Sequence, residues 1–143
     1  MYARIQDVAA LIGRIAVGVV FLAHGLDKWN AGVDGTAQMF EAVGIPLPTV
    51  AAVFVIAVEV IGAIMFIVGF ATPLVGIGFA VVGLGATFAV HLDAGLTGEG
   101  GYELVLVLAL AGLALGFNSG RLALDHVLVG RRRSSDKAAE PVS

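Results

Sequence analysis

The chain has 143 residues, of which 59% are apolar and 13% charged, with 20 glycines, no cysteine and a formal net charge of -3. Soluble domains average about 25% charged residues, so an ordinary soluble domain is excluded, and the hydrophobicity excludes general disorder. Without cysteine the chain offers no disulfide, thiol nucleophile, Cys-ligated cluster or Cys-based zinc site, and its small charge gives no reason to expect nucleic acid.

A lipid-spanning helix needs about 20 predominantly apolar residues. Residues 8–26 are the first such stretch. Arg14 interrupts it and it is long for a signal peptide, so it is read as a retained span. Asp34 can then cap a short helix through Glu41, whose Met39, Phe40 and Val43 would dip into the membrane interface before Gly44-Ile45-Pro46-Leu47-Pro48 redirects the chain. Residues 50–70 and 74–90 form the second and third spans, joined by the short turn Ala71-Thr72-Pro73 after Gly69, which makes them an antiparallel hairpin. Residues 104–117 form a shorter fourth span, and 121–128 an amphipathic segment on the membrane surface. Strands are not expected, because open sheet edges cannot be satisfied in hydrocarbon. The expected fold is all-α: a polytopic four-transmembrane-helix bundle with short interfacial helices over residues 1–130, followed by a disordered cytoplasmic tail at 131–143.

Lys and Arg favour the cytoplasmic side of short loops. Arg4, Arg121, Arg131, Arg132, Arg133 and Lys137 lie beside the two termini, whereas the opposite side carries Lys28 alone. Both termini are therefore expected in the cytoplasm. The Arg131-Arg132-Arg133 run reads as a topology anchor touching anionic lipid.

Small residues recur at helical spacing: Gly76, Ala80, Gly83 and Thr87 in the third span, and Gly112, Gly116 and Gly120 after it. Such stripes let membrane helices approach closely. Ionisable residues at membrane depth are costly and usually face a protein interior or a water-filled cavity. Arg14 and Glu59 are expected at similar depth, as a structural ion pair or, alternatively, as a proton or substrate site built on the same carboxylate. Arg14, Gly18, Phe21, Gly25 and Lys28 share one face of the first helix, and His24 is turned away from it.

His24 and Lys28 leave the first span at the outer end, where His91 ends the third and Glu103 opens the fourth. Two imidazoles, a cation and a carboxylate suit a quinone head group or a small anion, with His24 and His91 as the catalytic, proton-exchanging pair and Lys28 with Glu103 binding the ligand. The other reading of each residue is an interfacial side chain that snorkels or caps a helix. His24, His91 and Glu103 meet a two-His, one-carboxylate count, but no local spacing fixes a metal, and none is predicted. No covalent cofactor is predicted, and the chain has no phosphate loop or dinucleotide fingerprint.

The run Gly13-Arg14-Ile15-Ala16-Val17-Gly18-Val19-Val20-Phe21-Leu22-Ala23-His24-Gly25-Leu26-Asp27-Lys28 resembles the opening pattern of the DoxX family of small four-helix bacterial membrane proteins. Phe40-Glu41-Ala42-Val43-Gly44-Ile45-Pro46, Val58-Glu59-Val60-Ile61-Gly62 and Val68-Gly69-Phe70-Ala71-Thr72-Pro73 continue the resemblance. Gly120-Arg121-Leu122-Ala123-Leu124-Asp125 is similar to the family's C-terminal motif, with Ala123 where Ser is common and Asn118-Ser119 in place of Gly-Pro. The resemblance implies a subunit of the bacterial cytoplasmic membrane associated with redox metabolism, with relatives linked to thiosulfate oxidation and quinone. A redox protein and membrane lipid are the expected partners, with a homo-oligomer left open. A noncatalytic membrane anchor or assembly factor for a soluble redox enzyme is the alternative, and a small-solute transporter is the third reading.

Overall fold

A computed structural model describes residues 2–126, and among these it contains helices and turns without strands. Four helical rods carry the chain: α1 (Tyr2–Ala42), α2 (Pro48–Val68), α3 (Thr72–Ala94) and α4 (Glu103–Phe117). The first three are long and apolar enough to cross a membrane. The 15 residues of α4 rise only about 22 Å, so it is a shorter apolar rod packed beside them. Residues 127–143, which include the whole Arg131-Arg132-Arg133 run, the whole of the expected tail and the end of the 121–128 segment, lie outside the described residues.

The helix expected over 8–26 is the middle of a longer one, broken at Gly32 (φ 77°, ψ 167°). The expected interfacial helix is therefore the second arm of α1. Met39 and Val43 are exposed as expected but Phe40 faces inward: Thr36, Ala37 and Phe40 are buried, and Ala37 and Phe40 pack on Ala52 of α2 with Ile45, Ala51 and Val55 around them. The reason is the kink, which folds the arm onto α2 and is tied by the Thr36 hydroxyl donating to the Lys28 carbonyl (3.2 Å). Gly44 closes the arm in a Schellman motif, with Gly44 N–H bonded to Glu41 O and Ile45 N–H to Phe40 O.

The end of α2 repeats that motif. Gly69 N–H bonds to Phe66 O and Phe70 N–H to Met65 O, which turns the chain into α3 within three residues. Gly69 has a positive φ of 81°, and a Cβ there would collide with the Arg14 guanidinium and with Ala123. Two separate requirements thus fall on one glycine.

The small-residue stripes of α3 and α4 face each other. A Cβ on Gly76 would stand 2.8 Å from Gly112 O, one on Gly116 would stand 2.8 Å from Thr72 O, and one on Gly83 would stand 2.6 Å from the Ala109 Cβ. The backbones meet where no side chain intervenes, as in close-packed membrane helices. Gly120 departs from the stripe, because α4 ends at Phe117 and Gly120 packs against Asp7 and Ala10 of α1. At mid-bundle the core is aromatic: Phe21 stacks on Phe79 with centroids 3.8 Å apart, and Phe66 meets Phe79 edge-on at 5.0 Å. The exterior is made of Ile12, Val19, Ile64, Leu74, Val81, Val107 and similar side chains, all exposed. Large apolar groups facing outward, with small residues where α3 meets α4, suit a lipid surround.

The segment after α4 is not an amphipathic helix resting on the membrane over its described part. Residues 121–123 turn, helix begins only at 124, and Ala123 is buried. Asp125 explains this. Its carboxylate accepts from Ala71 N–H (2.7 Å), Thr72 N–H (2.8 Å) and the Thr72 hydroxyl (3.0 Å), satisfying free donors at the start of α3. The Arg121 N–H donates to Asp7 (2.8 Å), so the start and the end of the described chain meet at this basal end of the bundle.

Candidate functional site

Arg14 and Glu59 are not paired. Glu59 accepts a hydrogen bond and ion pair from Lys28 Nζ at 2.8 Å, and Arg14 donates through Nη2 to the Leu122 carbonyl at 3.2 Å. The register of α1 on α2 is the physical reason. Gly25 packs on the Glu59 backbone, leaving no space for a methyl group, whereas Arg14 lies against Gly69. Ten residues separate Glu59 from Gly69, about 15 Å along the helix, which is beyond the reach of an Arg side chain. Arg14 is fully buried, and its Nε and Nη1 have no partner among the described residues. It belongs to the basal packing with Gly69, Leu122 and Ala123 rather than to the site below.

His24, Lys28, Glu59, His91 and Glu103 all line one cavity of about 420 Å³ at the apical end, the end that holds the connections at 43–47 and 95–102. Five of the six residues singled out in the sequence thus converge, and Arg14 does not. The inward face of α1 is also as expected: Arg14, Gly18, Phe21 and Gly25 are buried, and Val17 joins them. Lys28 continues that face and His24 sits at its exposed edge.

Glu59 and His91 each stand in a π turn, Val58–Gly62 in α2 and Thr87–His91 in α3. A π turn adds one residue to the helical circuit and re-aims the side chains in it, a feature frequent at functional sites. His91 Nδ1 lies 2.8 Å from the Gly100 carbonyl. A carbonyl can only accept, so Nδ1 carries the proton in the neutral ring and Nε2 is left as an acceptor. Lys28 Nζ donates to Glu59 and, at 3.5 Å, to the His24 carbonyl, so one of its three protons is uncommitted. The side chains of His24 and Glu103 make no hydrogen bond to protein among the described residues.

Sequence reasoning missed three contributors. The loop Gly98-Glu99-Gly100-Gly101, expected to be a flexible connection, lines the cavity with backbone and anchors His91; its Gly100 has φ +80°. Phe21 forms part of the apolar wall with Val82, Leu104, Val105 and Leu108. Asp125 acts at the other end, where its DoxX-like motif was legible but its capping role was not. Among the described residues no group of three or more His, Asp or Glu has the geometry to hold a metal ion. The cavity can present donors and acceptors to a planar polar head while its apolar wall holds the ring, within the roughly 300–1,000 Å³ usual for small-molecule sites.

Comparison with known proteins gives two curated relatives. The chain is 34% identical over 133 residues to a Bacillus subtilis (strain 168) protein named "Putative oxidoreductase CatD", covering 93% of this chain and 96% of that protein. It is 35% identical over 94 residues to the Escherichia coli (strain K12) "Inner membrane protein YphA", covering 66% of each. No solved structure matches. The DoxX family model matches residues 9–92, which takes in most of α1, all of α2 and most of α3 together with His24, Lys28, Glu59 and His91, and the chain belongs to the DoxX family of membrane proteins.

Proposed function

We propose that this protein is a membrane subunit of a quinone-linked redox system and that the apical cavity binds the quinone head group. The observation that carries the reading is the convergence of His24, Lys28, Glu59, His91 and Glu103 on one partly apolar cavity. Charge separates a quinone from a small anion. Lys28 is neutralised by Glu59 and Glu103 adds a second carboxylate, so the site holds no surplus positive charge to attract an anion. A neutral ring with two carbonyl oxygens needs only donors, acceptors and an apolar wall.

A bound quinone supplies two-electron, two-proton redox chemistry. Lys28, through its uncommitted proton, would hold one ring oxygen of such a group, and Glu103 would hold the other end of the head. His91, whose Nδ1 is fixed by Gly100, accepts or returns a proton at Nε2. His24 at the exposed edge exchanges that proton with solvent. Electrons come from or go to a partner redox protein, which agrees with the oxidoreductase name of the Bacillus relative. The membrane is a bacterial inner membrane, with the basal end and both termini in the cytoplasm, in keeping with the Escherichia relative's name and with Arg4 and Arg121 at that end.

The test is purification in mild detergent with mass spectrometry of retained quinones, followed by titration of a short-chain quinone. His91→Ala and Glu59→Gln should each weaken binding by about tenfold or more, the loss of one ~1.4 kcal/mol interaction. A protein that retains no quinone, binds none at saturation and co-purifies with a soluble redox enzyme would establish the membrane-anchor alternative instead.

A further inference from the structure

A second cavity of about 520 Å³ adjoins the first and shares Lys28, Glu59, His91, Val82 and Ala86 with it. The Lys28–Glu59 pair and His91 are therefore a partition with a chamber on either side. The two sides differ in chemistry. His24, Glu103 and the glycine loop belong only to the first cavity, while the second is otherwise walled by apolar side chains of the α1 arm, α2 and α3. Its rim residues Met39, Phe54, Val81 and Val90 are 47–54% exposed on the outer, apolar surface of the bundle, so the chamber opens sideways toward lipid.

Gly85 adds an independent observation. The glycines at 76, 83, 112 and 116 are each required by a close helix contact, yet a Cβ on Gly85 would meet nothing within 4 Å. Glycine inside a helix is less stable than alanine by about 1 kcal/mol, so packing does not account for it. Together with Ala86 and Ala89 it keeps the α3 wall of the chamber free of bulk.

Resting on the quinone reading above, we infer that the second chamber is a tail site: the ligand is a long-chained, membrane-soluble quinone that enters laterally from the bilayer and leaves its apolar chain against Gly85 and Ala89 while its head reaches the Lys28, Glu59 and His91 partition. The chain takes the place of lipid tails, which are as apolar as the wall, so it is held by packing, and the polar partition fixes how deep the head can go.

The experiment compares two quinones with the same head, one with a methyl side chain and one with a decyl chain, on protein in lipid nanodiscs. Gly85→Phe should leave the affinity of the methyl compound unchanged and weaken the decyl compound by about tenfold or more. Bilayer partitioning is the same for both proteins, so it cancels. Ala89→Phe serves the same comparison if the Gly85 variant does not fold. On the unsubstituted protein, a decyl quinone with a terminal diazirine should label Met39, Val43, Phe54, Val81 or Val90. An equal effect of the substitution on both compounds, or no effect on either, overturns the tail site and leaves the head site standing. Equal labelling by a headless diazirine alkane shows ordinary lipid in the chamber and also overturns it. If neither quinone binds the unsubstituted protein, the head-site reading falls and the tail site with it.

Discussion

Lys28 shows what the sequence leaves open at a single residue. Its place on the inward face of the first helix is legible there, whereas its partner is not: α1 remains helical through it and carries it inward one turn after Gly25. It reaches Glu59, whose side chain is only 6% exposed, so each charge depends on the other. Removing one partner of such a buried pair typically costs about 3–5 kcal/mol, while replacing both by apolar groups is often neutral. Lys28→Met should therefore lower the thermal unfolding temperature in detergent markedly, and Lys28→Met with Glu59→Met should recover most of the loss. A double variant no more stable than the single one would show that the pair is not what sets the cost. The same comparison separates structure from function, since the recovered double variant should still fail to bind quinone.

At the scale of the helices, glycine spacing was legible but glycine purpose was not. The Gly112 and Gly116 stripe correctly marks the α4 face that meets Gly76 and Gly83, because close approach of two helices needs small residues one turn apart. In the sequence Gly116 stands in a small-residue stripe and Gly85 outside one, but neither position shows what it touches. In the fold, a Cβ on Gly116 would press on backbone atoms of Thr72 and Gly76, which cannot move aside, and one on Gly85 would enter open space. Gly116→Val should destabilise the protein by about 1–3 kcal/mol or more through overpacking. Gly85→Ala should be neutral or stabilising by up to about 1 kcal/mol. Thermal denaturation of the two variants side by side checks both, and equal losses would contradict the helix contact described here. Asp125 belongs to this scale as well. It is 53 residues from Thr72 in the chain and caps the start of α3 only because the segment after α4 folds beneath the bundle.

For the molecule as a whole, the four rods bring both ends of the described chain to the basal face, where Arg121 N–H meets Asp7, and carry the 43–47 and 95–102 connections to the apical face. Cytoplasmic reporters fused before residue 1 or after residue 143 should be active, and a tag inserted at Gly98 should be accessible only from the opposite side of the membrane. Reporter activity at Gly98 matching that of the termini would invert the proposed orientation. A helix count is less secure from length alone, since α4 rises only about 22 Å and depends on the Gly76 and Gly116 contact to sit beside α3.

The sequence by itself determined the class of molecule. Apolar runs of helical length without cysteine or strand signals dictate a helical membrane bundle, because backbone polar groups in hydrocarbon must be satisfied within helices. It also marked five polar residues that the fold assembles at one end, since ionisable groups at membrane depth rarely lack a polar environment. Only the tertiary structure decided which charge meets which. Periodicity fixes the face of a helix but not its sliding register against a neighbour, and a slip of a few residues moves a side chain several ångströms. Gly25 seated on Glu59 and Arg14 seated on Gly69 set that register, which gave Glu59 to Lys28, left Arg14 among the basal contacts and placed one ion pair on the wall shared by two adjoining chambers.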